Sequence, residues 1–418
     1  MFAPSERDRA LLGGAEGRAA ELAMRILVEM AEVMGTDRMI DVTSAHVDGC
    51  LYHGIAGLEF AERLAAGGAR VRIPTTLNVG YLDLLHPERY QGDPETAANA
   101  RRQMDLYVGM GCRPTWTCAP YQLPGRPGRG EHVAWAESNA IVFCNSVLGA
   151  RTNRYGDFID ICAAIVGRVP FAGLHRDEER TARLVLRLEG VPGRLLGSDA
   201  LYPVLGHVLG REAGSAVAAL VGLPPDTGED HLKAVGAAAA SSGAVAMFHA
   251  VGVTPEAPTL EAATGGPEVP EVPVTMDRLR AARDELSTST GGALEAVSVG
   301  TPHASLAELG RLASLLAGDR VRVPTFVNTG RDVLAAAERR GVAHALEDAG
   351  VQVVTDTCTY LTPIIGEVRG AVMTDSGKWA WYAPANLGVD VVFGSLEECV
   401  RSAIAGRVER DEGLWADG

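Results

Sequence analysis

Lysine is almost missing from this chain. Of 38 basic residues among 418, only Lys233 and Lys378 are lysine, and the rest are arginine. Where arginine supplies nearly every positive charge, a retained lysine marks a place that needs a compact ammonium. Lys233, in EDHLKAVGAAAA, reads as a surface residue of a helix, whereas Lys378, in TDSGKWAWYAP, lies between glycine and tryptophan and reads as a cleft residue. Aromatic residues amount to 5%, and no apolar run is long enough to span a membrane. The opening MFAPSERDRA has no apolar core of the kind a secretory signal needs. Cysteines stand at 50, 112, 118, 144, 162, 358 and 399, odd in number and widely spaced, so a disulfide framework is not expected and a cytoplasmic location is. No Gly-x-Gly-x-x-Gly follows a strand pattern, and there is no P-loop, His-Glu-x-x-His or Gly-x-Ser-x-Gly, which removes the usual support for nucleotide cofactors, zincins and α/β-hydrolases. A net charge of −15 argues against a nucleic-acid partner.

What is present is a globular composition, 47% hydrophobic and 22% charged, with length for roughly two to four domains. Apolar β-like runs at 39–45, 71–75, 244–253, 294–300, 321–325 and 351–357 alternate with helical patterns at 55–68, 94–109, 304–317 and 331–348. That alternation predicts parallel α/β layers. A Pro/Glu/Thr-rich stretch over 254–275 reads as a linker. We therefore expect domains at 1–180, 181–275 and 276–418.

The first and last of these domains repeat one another. Arg70-Val71-Arg72-Ile73-Pro74-Thr75, then Asn78 and Gly80, returns as Arg320-Val321-Arg322-Val323-Pro324-Thr325, then Asn328 and Gly330. Thr115-Trp116-Thr117-Cys118 is matched by Thr355-Asp356-Thr357-Cys358, and Ala164-Ile165-Val166-Gly167-Arg168-Val169 by Ala403-Ile404-Ala405-Gly406-Arg407-Val408. In parallel α/β layers, ligands gather at the carboxyl ends of strands. Cys118 and Cys358 hold equivalent strand-end positions, and if the two domains face each other, their thiolates share a cleft.

Several polar residues accompany these turns. Cys399, in FGSLEECVRSAIAG, falls near a helix start, where the dipole favours thiolate. His46 and Asp48 follow a strand in TSAHVDGC, and an Asp-supported imidazolium is a suitable proton donor near neutral pH. Thr75, Thr76 and Asn78 offer hydroxyl and amide groups to a carboxylate. In AWAESNAIVFCNSVLGARTNRYGDF, Ser146, Arg151 and Asn153 interrupt an apolar stretch, and Arg151 is suited to a bidentate carboxylate clamp.

TSAHVDGCLYHGIAGLEFAERLA, VRIPTTLNVGYLDLLHP, TCAPYQLPGRPGRGEHVAWAESNAIVFCNSVLGARTNR, GLH, DTCTY, SGKWAWYAP and FGSLEECV, taken in order, resemble the aconitase X family over most of the chain. The resemblance implies the aconitase fold class: three related α/β/α domains, here without the mobile swivel domain, which is expected as a separate small subunit carrying a serine base. It implies an iron centre, an iron–sulfur cluster or mononuclear iron, with Cys118, Cys358 and Cys399 as the positions carried over. It also implies a hydro-lyase acting on a small hydroxy-carboxylate, cis-3-hydroxy-L-proline, with loss of water leading to Δ1-pyrroline-2-carboxylate. Mevalonate 5-phosphate is the alternative substrate. On that reading the iron takes the hydroxyl, Arg151, Asn153, Thr75 and Thr76 hold the carboxylate, and Lys378 contacts it or a nearby acid. Rival readings are a zinc enzyme using the same thiolates and a scaffold subunit that lost the chemistry.

Overall fold

The computed structural model describes residues 2–289, 291 and 293–417. They form two compact units. The first runs up to Leu82 and resumes over Gly92–Thr181; the second comprises Asp83–Gln91 and everything from Ala182 on. Among the described residues no helix is long and apolar enough to cross a membrane.

In the first unit, β1 (Met39–Asp41) pairs antiparallel with β5 (Arg168–Pro170), while β2 (Ala45–Val47), β3 (Thr75–Leu77) and β4 (Ala134–Trp135) make a parallel sheet in the order β3-β2-β4. The second unit holds two parallel sheets. One has β6 (Leu184–Leu188), β7 (Ala218–Val221), β8 (Phe248–Ala250) and β9 (Glu271–Val274) in the order β8-β7-β6-β9. The other has β10 (Leu294–Ala304), β11 (Thr325–Thr329), β12 (Val351–Val354), β13 (Ala371–Thr374) and β14 (Asp390–Phe393) in the order β12-β11-β10-β13-β14. All three sheets grow to one side of their first strand and then return to its other side. Each therefore has a point where strand order reverses, between β2 and β4, β6 and β9, and β10 and β13, and crevices for ligands open above such points.

The internal repeat is visible in backbone detail. Arg72 N–H donates to the Ala164 carbonyl (2.9 Å) and Arg322 N–H to that of Ala403 (2.8 Å). Pro74 and Pro324 each accept from the neighbouring strand, from Ala45 and Val297, at 2.9 Å. Gly167 and Gly406 both end a helix in the left-handed conformation, at φ 74°. These bonds also correct the expected strands at 71–75 and 321–325. The Arg-Val-Arg segments bond to helix ends, and the strands begin only at Thr75 and Thr325, because proline cannot donate to a ladder.

The stretch 254–275 is not a free linker. It contains the short helix Leu260–Thr264 and then β9, which pairs with β6 as an edge strand, where Pro273 is tolerated. The pattern at 331–348 is two helices, Arg331–Arg339 and Val342–Asp348, broken at Gly341 (φ 73°). Asp93, accepting from Thr96 N–H at 2.7 Å, with Pro94 behind it, starts the helix Pro94–Gly109 where capping rules place it. The second unit's main core packs Leu309, Leu312, Val327, Leu346, Val353 and Met373 between the five-stranded sheet and its helices.

Candidate active site

The two cysteine turns share an uncommon backbone. Trp116 (φ 45°) and Asp356 (φ 63°), each two residues before its cysteine, adopt the left-handed conformation without being glycine. Such strain costs about 1–3 kcal/mol per residue and collects at functional sites. In the first unit, Asn139 Nδ2 donates to the Cys118 carbonyl at 2.9 Å, and Thr115 Oγ1 donates to the Leu77 carbonyl at 2.9 Å. In the second, the Cys358 carbonyl accepts from Leu361 (3.0 Å) and Thr362 (3.2 Å), and a bidentate Arg331 holds the Asp356 carboxylate at 2.6 Å. Both thiols are buried.

Beside Cys358 stands a residue that sequence reasoning passed over, His303. A ring nitrogen of His303 and the Cys358 sulfur lie within 4.8 Å of one another, and His303 Nε2 meets the Thr357 carbonyl at 3.1 Å. The histidine sits where β10 shifts register against β11 between Val299 and Ala304. Such a bulge re-aims side chains. It begins at Gly300 (φ 77°), where a Cβ would meet the Asn328 carbonyl oxygen at 2.6 Å, so glycine is required there.

Cys399 does lie in the first turns of a helix, Leu396–Ala405, but its thiol is fully buried in the hydrophobic core. Burial, with Asp375, Glu398 and Asp199 nearby, pushes that thiol well above its ordinary pKa, and the structure does not set it beside Cys358 and His303. The helix-start argument failed because burial among apolar and acidic groups outweighs one dipole.

His46 is fully buried, and its Nδ1 pairs with Thr76 Oγ1 at 2.8 Å, not with Asp48. The Asp48 carboxylate instead accepts from the Asn78 amide. Burial lowers the His46 pKa to about 4 against an opposing effect of Glu137, so the ring is neutral at pH 7 and the expected general acid is absent from it. Asp48 is pushed the other way, well above the usual carboxylate range, by burial and by Asp157, Glu137 and Asp160. Because the folded His46 pKa lies below the ordinary 6.5, the unfolded chain takes up this proton first, and the histidine's contribution to stability falls as pH drops from 6.5 toward about 4. Histidine-selective NMR is expected to show this ring titrating near pH 4. A midpoint near 6.5 would restore it as a proton donor.

The proposed carboxylate clamp does not form one group. Arg151 donates to the His175 carbonyl at 3.0 Å and to the Asp177 carboxylate, and Asn153 is bonded to the Ala172 carbonyl (2.9 Å) and Leu174 N–H (2.8 Å). Both are spent on the 172–177 turn. Thr75 Oγ1 caps the Ile73 carbonyl at 2.8 Å, Ser146 is buried at the end of the helix Ser138–Ser146, and only Thr76 and Asn78 gather about His46 and Asp48.

Both lysines are buried, Lys233 at 3% exposure and Lys378 at 4%, which corrects the surface reading of Lys233. They line one cavity of about 370 Å³ inside the second unit. Lys233 pairs with Asp230 (3.2 Å) and Glu308, while the Lys378 ammonium stands 6.0 Å from the centre of the Tyr360 ring.

Three family descriptions match in order: aconitase X first domain over residues 2–178, second domain over 182–284 and third domain over 294–405. The cis-3-hydroxy-L-proline dehydratase of Pseudomonas aeruginosa is 45% identical over 98% of this chain and 71% of its own length. The phosphomevalonate dehydratase large subunit of Methanothermobacter thermautotrophicus is 38% identical over 94% of this chain and 97% of its own length. The crystal structure of Thermococcus kodakaraensis aconitase X in its holo form superimposes with a TM-score of 0.87 at 34% identity, covering 96% of this chain and all of that one.

Proposed function

We propose, for a chain that belongs to the aconitase X family, the dehydration of cis-3-hydroxy-L-proline. The observation that carries the substrate is the 45% identity to a cis-3-hydroxy-L-proline dehydratase across 98% of the chain, against 38% to a phosphomevalonate dehydratase large subunit. Mevalonate 5-phosphate is the second reading, favoured by the fact that this chain matches those large subunits over 97% of their length. Seven free cysteines are compatible with a cytoplasmic enzyme.

The donors fit the iron that the family implies. Thiol and imidazole donors suit iron far better than magnesium or calcium, and His303 with Cys358 supplies one of each within 4.8 Å. We assign Cys118 and Cys358 as ligands, on the shared strained turns, with His303 in support, and leave Cys399 in the core. Iron bound there would supply a Lewis acid for the departing hydroxyl. The chain's own residues do the rest. The neutral His46 and the Thr76 hydroxyl offer hydrogen bonds, and Lys378 holds the substrate carboxylate. The proton next to that carboxylate must leave for the double bond to form, and His46, its pKa lowered to about 4 by burial, is too weak a base to take it. We assign that base to a small swivel subunit.

The test is reconstitution. Iron-loaded chain alone is expected to show negligible turnover of cis-3-hydroxy-L-proline, and addition of the small subunit to restore formation of Δ1-pyrroline-2-carboxylate. Robust turnover by the isolated chain would place the base within it, and turnover of mevalonate 5-phosphate instead would select the second reading.

A further inference from the structure

We propose that the cavity above the β10–β13 reversal of strand order is where this chain holds the body of a small cyclic amino acid in its zwitterionic form, with Asp375 receiving the ring ammonium and Lys378 the carboxylate. The proposal rests on the dehydratase reading for the identity of its ligand, but the cavity and its charges stand on their own.

Position is the first argument. Val299, Gly300 and Thr301 from the C-terminal half of β10 and Asp375, Ser376 and Lys378 from just beyond β13 wall the cavity from both sides of the reversal, where open α/β sheets form ligand crevices. Its volume of about 370 Å³ suits a small molecule. The two walls are tied together by Ser376, which donates through its hydroxyl to the Thr301 carbonyl and accepts from Trp379 N–H at 3.0 Å, capping the helix Gly377–Leu387. That helix begins against Pro203 and Ala238, where a Cβ on Gly377 would meet carbon at 3.0–3.2 Å, so its start is held in place. Its N-terminus favours a carboxylate nearby, in concert with the Lys378 ammonium.

Charge is the second argument. Arg311 is paired with Asp199 at 3.1 Å, and Lys233 with Asp230 and Glu308. Asp375 differs: among the described residues its carboxylate makes no hydrogen bond or ion pair to another residue, although it sits within the cavity wall. Burial, then the fields of Asp199 and Glu308, push its pKa up to about 8, and the nearby Lys233 only partly offsets them. An ammonium group would answer the rest. An ammonium draws this carboxyl into its charged form and a phosphate does not, so the same group separates a cyclic zwitterion from a phosphorylated hydroxy acid.

The probes are L-proline and cyclopentanecarboxylate, which share ring and carboxylate but differ in the ammonium. Calorimetry on the iron-loaded chain is expected to show proline binding and the carbocycle binding roughly tenfold or more weakly, about the effect of one charge-assisted hydrogen bond. Asp375→Asn is expected to erase that preference, Lys378→Met to weaken both ligands, and Ala234→Leu, which fills the cavity from its wall, to remove both while iron content is unchanged. Proline binding untouched by Asp375→Asn and Ala234→Leu would overturn the site, and so would a wild-type chain that binds neither probe. Turnover of hydroxyproline by those same variants with wild-type KM would leave the dehydratase reading intact while rejecting this cavity. The expected binding pattern without any turnover in the reconstituted enzyme would keep the cavity and reject the reaction. Should Asp375→Asn fail to fold, the wild-type preference and the Ala234→Leu result still decide.

Discussion

Replacing Cys358 by serine is expected to leave the purified chain without iron and the reconstituted enzyme without measurable turnover, a loss on the order of 1,000-fold or more, because a Lewis acid contributes several kcal/mol to departure of hydroxide. Cys118→Ser should behave in the same way. A serine hydroxyl at either position is a hard, protonated donor where a thiolate is needed, so the loss comes from donor chemistry and not from packing. Cys399→Ser should give the opposite pattern. It puts an extra hydroxyl into the core around Leu309, Leu312 and Val400, costing about 1–3 kcal/mol of stability while keeping iron. Metal analysis and visible absorbance of anaerobically purified variants, read beside their melting temperatures, separate the two classes. Full iron in Cys358→Ser, or none in Cys399→Ser, would reverse the assignment.

The three cysteines also mark where sequence reasoning reaches and where it stops. The turns holding Cys118 and Cys358 were legible because the pattern repeats with its flanking threonines, and the backbone bears that out in the shared left-handed residue. Cys399 was misjudged because helix position says nothing of which way a thiol faces. His303 was missed because a lone histidine after Thr-Pro carries no signal until β10 shifts register and turns it toward Cys358. The His46–Asp48 pair failed for a related reason. Adjacent positions in a turn suggested a bond, but a neighbouring strand supplied Thr76 and Asn78 as nearer partners. The alternation of strands and helices needed only local pattern, and so it survived, apart from the two proline-bearing segments and the supposed linker. Local pattern does not reveal which polar groups from distant segments meet.

Lys233 shows how much that can hide, and it carries the second large effect. EDHLKAVGAAAA resembles a solvated helix face, yet its alanines are the packing surface. In the helix Glu229–Ser242 they lie so close to the helix Leu201–Ala213 that a Cβ on Gly206 would meet the Val235 carbonyl oxygen at 2.3 Å. Small residues there bury the lysine as well. Its ammonium joins Asp230 and Glu308, while the Ser305 hydroxyl donates to Asp230 at 2.7 Å and Ser305 N–H to Glu308 at 2.8 Å. The network links a helix beside the four-stranded sheet to the start of the helix Leu306–Leu316 beside the five-stranded one. Burial alone would lower the lysine's pKa, but Glu308 and Asp230 more than offset it and hold the ammonium charged above its ordinary 10.5. The stability that lysine contributes is therefore complete below that value and is lost only as alkaline pH passes the raised pKa.

Lys233→Met removes the cation and leaves two carboxylates without their partner, and is expected to cost about 3–5 kcal/mol in unfolding free energy, read by denaturant titration. Adding Asp230→Asn and Glu308→Gln to the same variant removes the stranded charges and should recover most of that loss. If Lys233→Met alone melts like the wild type, water or a rearranged arginine must reach the site, and the lysine would be dispensable. If the triple variant is no better than the single one, the loss arises from packing and not from charge. Arginine would not serve in this place. Its planar fork has a fixed donor geometry, whereas the lysine ammonium meets Asp230 and Glu308 as a point charge, in keeping with one of only two lysines in a chain otherwise written in arginine.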